Sequence, residues 1–382
     1  MKNFLNKIFS SSKNLYSFKN NIKKLSLTTP VKKIFEAINS HSSESEIRYV
    51  GGCLRKILNN EKVDDIDLAT NLNPSEVIEI LKKNNINFYE SGIEHGTITA
   101  IIDDYKYEIT SLREDIFTDG RHAKVKFSKD WKKDAARRDF TINSIYADLD
   151  GNLFDPYNGK KDIETGQVSF IGNPEKRIKE DYLRILRYLR FFLNYSKQPH
   201  KEEIMKVIKI NISGISIISK ERLLDELKKL LKSNKLENLS KDKFSIDLIL
   251  LIFPELKNIK SIIDAIKVKR ELFVDLDFMF TLFLMIIDET DNLEYFLYKY
   301  NISKKDQKRA YAISNFYNEK NGSKTLNEVN LNKVLYYDGK QAVLDIINFK
   351  IIKTKKLDKK LLSLLELYKN KITPSLPVGA NL

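Results

Sequence analysis

The chain has 382 residues, 42% of them hydrophobic, and carries 66 Lys and Arg against 52 Asp and Glu, a formal net charge of +14. Because a single hydrophobic core rarely grows past about 250–300 residues, this length predicts more than one domain. The positive charge favours a polyanionic partner such as a nucleic acid, although a compositional bias toward lysine would produce the same charge.

Composition also excludes several classes of protein. The single cysteine, Cys53, rules out an intramolecular disulfide and a thiolate cage for zinc, and with only four histidines a zinc site is not expected. No uncharged apolar run approaches the roughly 18–20 residues of a membrane span. We therefore expect a soluble protein with no membrane partner.

The first 35 residues contain no acidic side chain and carry scattered lysines with a serine run at 10–12. This composition is typical of organelle-targeting segments, but the arginine that such segments favour is missing. We predict a basic N-terminal arm over residues 1–28 in a cytoplasmic protein, with a transit peptide for an organellar matrix as the alternative.

Two textures divide the rest of the chain. From residue 48 to about 170, short β-type runs alternate with helical runs, which indicates an α/β head with a small sheet. Beyond residue 173 the sequence is helical in pattern with lysine-rich connections. The helical patterns cover 174–195, 201–210, 219–231, 273–287, 331–337 and 355–368. The predicted fold class is therefore mixed α+β, an α/β head followed by an all-helical region.

Local patterns order the elements of the head. Asn73 and Pro74 mark a helix start as N-cap and first helical position. Asp103 and Asp104 separate two strand-like runs and predict a hairpin. The predicted elements around them are strands over 47–50, 63–68, 97–102 and 105–112 and a helix over 54–59.

The first candidate for chemistry is an Asp-Ile-Asp motif. Side chains alternate along a strand, so Asp65 and Asp67 are expected on one face with Cα atoms about 6.5–7 Å apart. Two carboxylates so placed can share two divalent ions about 3.5–4 Å apart, which is the arrangement used for nucleotidyl transfer. An isolated Asp-x-Asp is more often a solvated turn or edge, so its surroundings must support it.

Two further features supply that support. Gly51 and Gly52 let the backbone turn sharply before a helix and direct N–H groups at an anion, which predicts a binding site for phosphate. The alternative is an ordinary strand–helix turn without a ligand. Glu108 alternates away from its aliphatic neighbours and becomes a third metal ligand if its strand lies beside that of Asp65. The alternative for Glu108 is an ordinary solvent-facing glutamate.

Two polar groups are suited to binding a nucleotide. The segment RRDFTIN at 137–143 offers guanidinium forks for a triphosphate and polar groups for a ribose. Asp181 and Arg184, three apart in the predicted helix, form either a simple salt bridge or a base reader. A carboxylate accepts and a guanidinium donates, so this pair would match the pairing edges of cytosine and adenine and mismatch those of uracil and guanine.

Taken in order, these motifs resemble the class II tRNA nucleotidyltransferases, or CCA-adding enzymes, and their relatives the bacterial poly(A) polymerases. The resemblance runs from about residue 49 to 230. It rests on GGCLR at 51–55, DIDLAT at 65–70, GIEHGT at 92–97, RRDFTIN at 137–143, EDYLR at 180–184 and ER at 221–222. One departure is Lys56, where the family usually has an acid.

The resemblance implies roles for individual residues. Asp65, Asp67 and Glu108 would be the catalytic carboxylates and would bind Mg²⁺, while Glu221 and Arg222 would brace the base-reading residues. Residues 117–131 would form a mobile loop linked to the switch from C to A addition. The nucleotide-binding residues would be Gly51, Gly52, Arg55, Arg138, Asp139, Asn143, Asp181, Arg184 and Arg187.

The resemblance also implies an architecture and a set of partners. A catalytic head over 29–172 would be followed by a base-recognising neck over 173–240 and by a helical body and tail over 241–382 that bind tRNA. The substrates would be CTP, ATP and the 3′ acceptor end of tRNA. The expected phosphate contacts are Lys267, Lys269, Arg270, Lys308 and Arg309, each of which is alternatively part of a solvated face.

Three alternatives to full CCA addition remain open from the sequence. A poly(A) polymerase would use only ATP, a specialist would add only CC or only A, and an RNA-binding protein would have kept the fold without catalysis. The last is disfavoured because a binding module has no need for mutually repelling carboxylates. The sequence indicates no oligomeric state.

Overall fold

The computed structural model describes residues 16–118, 123–233, 235–274, 276–317, 325–354 and 358–372. The chain divides into two compact units, Met1–Ile218 and Ser219–Leu382. The first unit is a mixed sheet with helices, and every named element of the second is helical. The predicted α+β fold class is confirmed. Within the described ranges, no helix is long and apolar enough to cross a membrane.

A seven-stranded mixed sheet organises the first unit, in the order β3-β4-β5-β2-β1-β8-β9. Strands β2 and β5 run parallel, and β6 and β7 form a separate antiparallel ribbon. The strands are β1 (Ile47–Val50), β2 (Ile66–Thr70), β3 (Asn87–Gly92), β4 (Thr97–Ile102), β5 (Tyr105–Ser111), β6 (Arg113–Thr118), β7 (Ala123–Phe127), β8 (Tyr146–Ala147) and β9 (Leu153–Phe154).

The β4–β5 hairpin agrees with its sequence pattern, whereas β2 begins later than predicted. β4 and β5 pair antiparallel around Asp103, which takes a left-handed φ of 52° that an aspartate in a tight turn tolerates. β2 begins at Ile66 and not at residue 63, so Asp65 lies just before the strand. The predicted placement of Asp65 inside a regular strand is therefore wrong, although it directly precedes the ladder.

Helices surround the sheet of the first unit. Asn73 and Glu76 form a capping box with Pro74 at the first helical position, which confirms the predicted helix start. The helices are α1 (16–28), α2 (Val31–Asn39), α3 (Gly52–Leu58), α4 (Pro74–Lys83), α5 (Trp131–Arg137), α6 (Gly159–Thr165), α7 (Pro174–Glu180), α8 (Arg184–Tyr195) and α9 (Glu202–Asn211).

The N-terminal segment differs from the expected arm over its described part. Residues 16–28 form α1, in which Phe18 and Ile22 are buried. Lys19 Nζ donates to Asn152 Oδ1 at 2.8 Å, so α1 packs on the head. Amphipathic spacing of Phe18 and Ile22, four residues apart, accounts for this docking. Residues 1–15 lie outside the described residues.

The single helix predicted over 174–195 is interrupted. α7 ends at Glu180, Asp181 is extended with φ −156° and ψ 104°, and α8 begins at Arg184. The Asp181 carboxylate accepts from Leu183 N at 3.2 Å, a local side-chain bond that competes with continuing the helix. The argument that placed Asp181 and Arg184 on one face of a continuous helix was therefore wrong.

The second unit is built from helices, as the texture beyond residue 173 predicts. Asp277 caps the helix that begins at Phe278, because its side chain accepts from Phe280 N, so this helix starts later than the predicted residue 273. The helices are α10 (Lys220–Leu231), α11 (Lys243–Ile252), α12 (Ile259–Val268), α13 (Arg270–Phe273), α14 (Phe278–Ile286), α15 (Asn292–Lys299), α16 (Lys304–Tyr317), α17 (Glu328–Tyr337), α18 (Lys340–Lys353) and α19 (Lys359–Asn370). The domain boundaries expected at 28, 172 and 240 stay predictions.

Candidate active site

The three carboxylates meet at the junction of β2 and β5. These strands pair in parallel with Asp67 directly opposite Glu108. Paired residues on adjacent strands share a face of the sheet about 4.7–4.9 Å apart, so the condition set for Glu108 is met. Burial raises the pKa of the Asp67 carboxyl, and the charges of Glu108 and Asp65 raise it further, while Arg138 and Arg55 oppose them. The three carboxylates therefore interact electrostatically.

The sequence predicts that Asp65, Asp67 and Glu108 bind Mg²⁺. Among the described residues, there is no group of three or more His, Cys, Asp or Glu side chains that could hold a metal ion. Mg²⁺ is commonly held by one or two carboxylates, with substrate phosphates and water completing its shell. The half-buried Asp67 beside the exposed Asp65 and Glu108 suits that mode, because a divalent cation would relieve their mutual repulsion.

The glycine turn lies against this carboxylate edge. Gly51 takes a φ of +64°, and a Cβ on Gly52 would lie 3.5 Å from Asp67 Oδ2. The N–H of Gly51 donates to the Ile145 carbonyl at 3.2 Å, so Gly51 holds the turn and does not itself offer an N–H to an anion. What the glycines provide is close approach of the backbone to Asp67 and Arg138.

Four of the predicted nucleotide-binding residues form one buried chain of hydrogen bonds. Arg55 Nη1 donates to Asn143 Oδ1, and Asn143 Nδ2 donates to Asp139 Oδ1 at 2.8 Å. Arg187 Nε donates to Asp139 Oδ2 at 2.7 Å. Burial opposes ionisation of Asp139, but Arg187 and the bond from Asn143 lower its pKa to about 2. The chain ties α3 to α8 through the turn between them.

A second buried cluster holds Arg137 and Arg138. Its central residue, Asp134, was not identified from the sequence. Asp134 accepts from Arg137 Nε at 2.8 Å, from Arg138 Nη2 at 3.1 Å and from the Tyr146 hydroxyl at 2.6 Å. Burial opposes ionisation of Asp134, but the charges of Arg138 and Arg137 outweigh it and hold its pKa well below the usual range. The signal in the sequence was the spacing, because Arg137 and Arg138 follow Asp134 by three and four residues and such residues are neighbours on a helix.

The predicted base-reading residues stand where α7 gives way to α8. Arg184 is buried, and its Nη1 donates to Glu180 Oε2 at 2.6 Å and to the Arg177 carbonyl at 2.7 Å. Asp181 is half-buried between the two helices. Arg177, also missed from the sequence, donates to Glu180 and to the carbonyls of Arg137 and Arg138.

Lys56, which stands where the family that the chain resembles usually has an acid, has a structural partner. Lys56 Nζ lies 2.9 Å from Asp64 Oδ2, and this ion pair lowers the pKa of Asp64. The pair joins α3 to the segment that precedes β2. A lysine at this position therefore still links the glycine turn to the strand that carries Asp67.

α6 packs directly on the turn that carries Asn143. Asp162 accepts from the Thr141 hydroxyl at 2.6 Å, and Asp155 accepts from the N–H groups of Gly159 and Lys160 at 2.8 and 2.9 Å. A Cβ on Gly159 would lie 2.1 Å from the Thr141 carbonyl oxygen. Only glycine allows this approach of the helix to the turn.

Gly159→Ala is expected to destabilise the first unit by about 1–3 kcal/mol, because the added methyl must displace the backbone of Thr141. The melting temperature should fall, whereas Lys161→Ala, an exposed change on the same helix, should leave it unchanged. Equal melting temperatures for the Gly159→Ala and wild-type proteins would contradict the tight packing.

The predicted phosphate contacts of the second unit fall into two groups. Lys269 Nζ donates to the carbonyls of Ile351 and Thr354 at the end of α18, and burial lowers its pKa. Arg309 pairs with the buried Asp345 at 2.8 Å and with the exposed Asp277 at 2.6 Å.

Lys269 and Arg309 are thus engaged within the fold, and their role as phosphate contacts stays a prediction. A helix C-terminus attracts a cation, and buried carboxylates require one. Lys267 and Arg270 are exposed, and Lys308 is exposed with its Nζ 2.6 Å from the Tyr337 carbonyl. These exposed side chains also have acidic neighbours, since Arg270 lies 3.5 Å from Glu237 and Lys308 lies 3.8 Å from Asp338.

The segment expected to be a mobile loop is described only in part. Residues 119–122 lie outside the described residues, and the flanking β6 and β7 pair as a ribbon before α5 begins at Trp131. The Trp131 ring packs edge-on against Tyr146 and under the guanidinium of Arg48. The end of this segment is therefore anchored to the cluster that holds Arg138.

Comparison with protein families gives two matches. Residues 47–169 match the family described as Poly A polymerase head domain. Residues 201–260 match the family described as Probable RNA and SrmB- binding site of polymerase A. The first match contains the glycine turn, the three carboxylates and the arginine pair.

Similar proteins include the mitochondrial CCA tRNA nucleotidyltransferase 1 of Homo sapiens, 46% identical over 197 residues that cover 51% of this chain and 45% of that protein. The CCA-adding enzyme of Staphylococcus haemolyticus is 37% identical over 210 residues, covering 54% of this chain and 50% of that enzyme. The chain thus spans about half the length of these relatives.

Solved structures share the fold. The crystal structure of the Bacillus stearothermophilus CCA-adding enzyme in complex with CTP matches with a TM-score of 0.69 at 21% sequence identity. The match covers 89% of this chain and 82% of that chain. The structure of a tRNA nucleotidyltransferase complexed with a primer tRNA and an incoming ATP analog matches with a TM-score of 0.65 at 20% sequence identity. This match covers 88% of this chain and 98% of that chain. Residues 47–169 thus match the poly A polymerase head-domain family, and the resemblance of the chain to the CCA-adding enzymes and their relatives is confirmed.

Proposed function

We propose that this chain adds C, C and A to the 3′ end of tRNA, using CTP and ATP and releasing pyrophosphate. The observation that carries the proposal is the pairing of Asp67 with Glu108 beside the Gly51–Gly52 turn and Arg138. Carboxylates of the kind that bind Mg²⁺ and a cation suited to a triphosphate lie beside the same glycine turn, which supports the proposal. The names of the similar enzymes from Homo sapiens and Staphylococcus haemolyticus support the same activity.

The residues divide the work of the reaction between them. Mg²⁺ held by Asp65, Asp67 and Glu108 would supply activation of the tRNA 3′-hydroxyl and stabilisation of the leaving phosphate oxygen. The bond that forms joins the 3′-oxygen to the α-phosphorus, and the bond that breaks releases pyrophosphate. Arg138, oriented by Asp134, neutralises charge on the triphosphate, and rigid donors of this kind need no reorganisation during the reaction.

Base selection is assigned to Asp181 and Arg184. The carboxylate accepts from the amino group of cytosine or adenine, and the guanidinium donates to the adjacent ring nitrogen. Arg184 Nη1 is held by Glu180 and the Arg177 carbonyl, so the other N–H groups of the fork can face the base. The break between α7 and α8 sets Asp181 apart from the helical ladder.

Asp181→Ala is expected to narrow the preference for CTP and ATP over UTP and GTP by at least about tenfold, because a buried donor on the base loses its acceptor. Rates of single-nucleotide addition with each of the four nucleotides give the preference. Glu175→Ala, an exposed change at the start of α7, is the matched control. An unchanged preference in the Asp181→Ala protein would remove Asp181 from base selection.

The proposal is tested by incubating the protein with Mg²⁺, the nucleotides singly and in pairs, and tRNA transcripts that end before CCA, after C or after CC. Sequenced products that end in CCA and stop there support it. Long A tails on unrelated RNA would assign a poly(A) polymerase, and partial addition a CC- or A-adding specialist. Retained tRNA binding without addition would assign a non-catalytic RNA-binding role.

The remaining assignments belong to the same proposal. Lys267, Arg270 and Lys308 are assigned to phosphates of the acceptor arm. We retain the cytoplasmic location as the main prediction. The mitochondrial enzymes of Homo sapiens, Mus musculus and Danio rerio among the similar proteins support the organellar alternative.

A further inference from the structure

Arg177 connects two parts of the site that lie far apart in sequence. Its side chain is buried, and Nη2 donates to the carbonyl oxygens of both Arg137 and Arg138. Nη1 donates to the Glu180 carboxylate. One guanidinium therefore holds the backbone that carries the triphosphate-binding arginine and, at the same time, the last residue of α7.

Glu180 extends this connection to the base-reading arginine. The same Oε2 that accepts from Arg177 accepts from Arg184 Nη1 at 2.6 Å. Arg184 Nη1 also donates to the carbonyl of Arg177 at 2.7 Å. A guanidinium is a rigid planar fork, so fixing one nitrogen between two acceptors orients its other N–H groups as well.

We propose that Arg177 is a positioning residue that sets the orientation of Arg184 relative to Arg138 and thereby controls how strictly C and A are selected over U and G. The inference rests on the proposed function, since it assigns Arg184 to the base and Arg138 to the triphosphate. In this assignment Arg177 contacts neither the base nor the triphosphate. It acts through Glu180, through its own carbonyl, which accepts from Arg184, and through the carbonyls of Arg137 and Arg138.

A purely structural role for Arg177 makes a different prediction. A buried ion pair that only stabilised the fold would lower stability when broken and leave the selectivity of the folded protein unchanged. A positioning role changes selectivity in molecules that are still folded, because reacting groups displaced by a fraction of an ångström lose transition-state contacts.

The test compares R177K with the wild-type protein in single-nucleotide addition to tRNA transcripts ending before CCA and after CC. Lysine keeps the charge but cannot bond two carbonyls and a carboxylate as a planar fork. We expect kcat/KM for CTP and ATP to fall at least about tenfold, mainly through kcat, with a smaller fall for UTP and GTP. K179A, on the exposed side of the same helix, should match the wild type in rate and selectivity.

E180Q provides a second variant if R177K does not fold. Glu180 is partly exposed, so its amide form is expected to fold, and the neutral side chain weakens the hold on both arginines. Reduced selectivity in a folded R177K or E180Q protein supports the inference. Wild-type selectivity in folded variants, whatever their melting temperatures, overturns it. A wild-type protein that adds no nucleotide would instead overturn the proposed function.

Discussion

Asp67→Ala is expected to abolish nucleotide addition while tRNA still binds. Asp67 faces Glu108 across the parallel pair and lies against the glycine turn, so it is the carboxylate best placed to hold a metal near the triphosphate. Stabilisation by a catalytic metal contributes several kcal/mol, which corresponds to a loss of about 10³-fold or more. The rate of CTP addition measures the loss, and filter binding of tRNA measures retention.

The neighbouring Asp64 offers a matched control. It is exposed and pairs with Lys56 at 2.9 Å, so Asp64→Ala removes the same charge one residue before Asp65 and should keep addition within a few-fold of wild type. Asp67→Ala should not lower the melting temperature much, because it also removes repulsion from Glu108 and Asp65. Turnover of Asp67→Ala near the wild-type rate would exclude the two-metal mechanism.

Asp134→Asn is expected to give the largest loss of stability in the head. The Asp134 side chain is 1% exposed and neutralises Arg137 and Arg138. Removing one partner of a buried ion pair costs about 3–5 kcal/mol because the other charge stays buried. The fluorescence of Trp131, the single tryptophan, reports unfolding of this cluster in urea because its ring packs on Tyr146.

The pH dependence of this effect follows from the lowered pKa of Asp134. A carboxyl with a lowered pKa contributes stability above its ordinary value of 3.8, and that stability is lost as the pH falls toward the folded-state pKa. The difference in the free energy of unfolding between the wild-type and Asp134→Asn proteins should therefore be constant from about pH 7 to 5 and shrink below about pH 4. Glu114→Gln, which removes an exposed pair with Lys133, should show a small gap throughout. A gap of similar size for both variants would contradict a buried role for Asp134.

Features governed by neighbours in sequence were readable in advance. β1 ends where it was predicted, the β4–β5 hairpin turns at Asp103, and Asn73 caps α4. Each depends on backbone preferences and side-chain bonds within about four residues, so the residue types carry the information. The order of motifs from residue 51 to 184 indicated the family for the same reason, since each motif is local.

The contacts that build the site depended on the tertiary structure. Glu108 is a ligand candidate only because β5 lies parallel to β2, and the Asp67–Glu108 register spans 41 positions that no local pattern determines. Arg177 is a candidate positioning residue because it donates to the carbonyls of Arg137 and Arg138, and a sequence motif does not reveal which backbone groups a side chain contacts.

The same reason explains why the sequence did not reveal the partners of two basic residues. Lys269 caps the end of α18 and Arg309 neutralises Asp345, although the sequence presents both as members of surface clusters. By itself the sequence determined the fold class, the family resemblance and which residue types carry the chemistry, because those depend on local pattern and composition. Only the tertiary structure decided which charges meet, since burial and pairing arise from segments brought together when the chain packs.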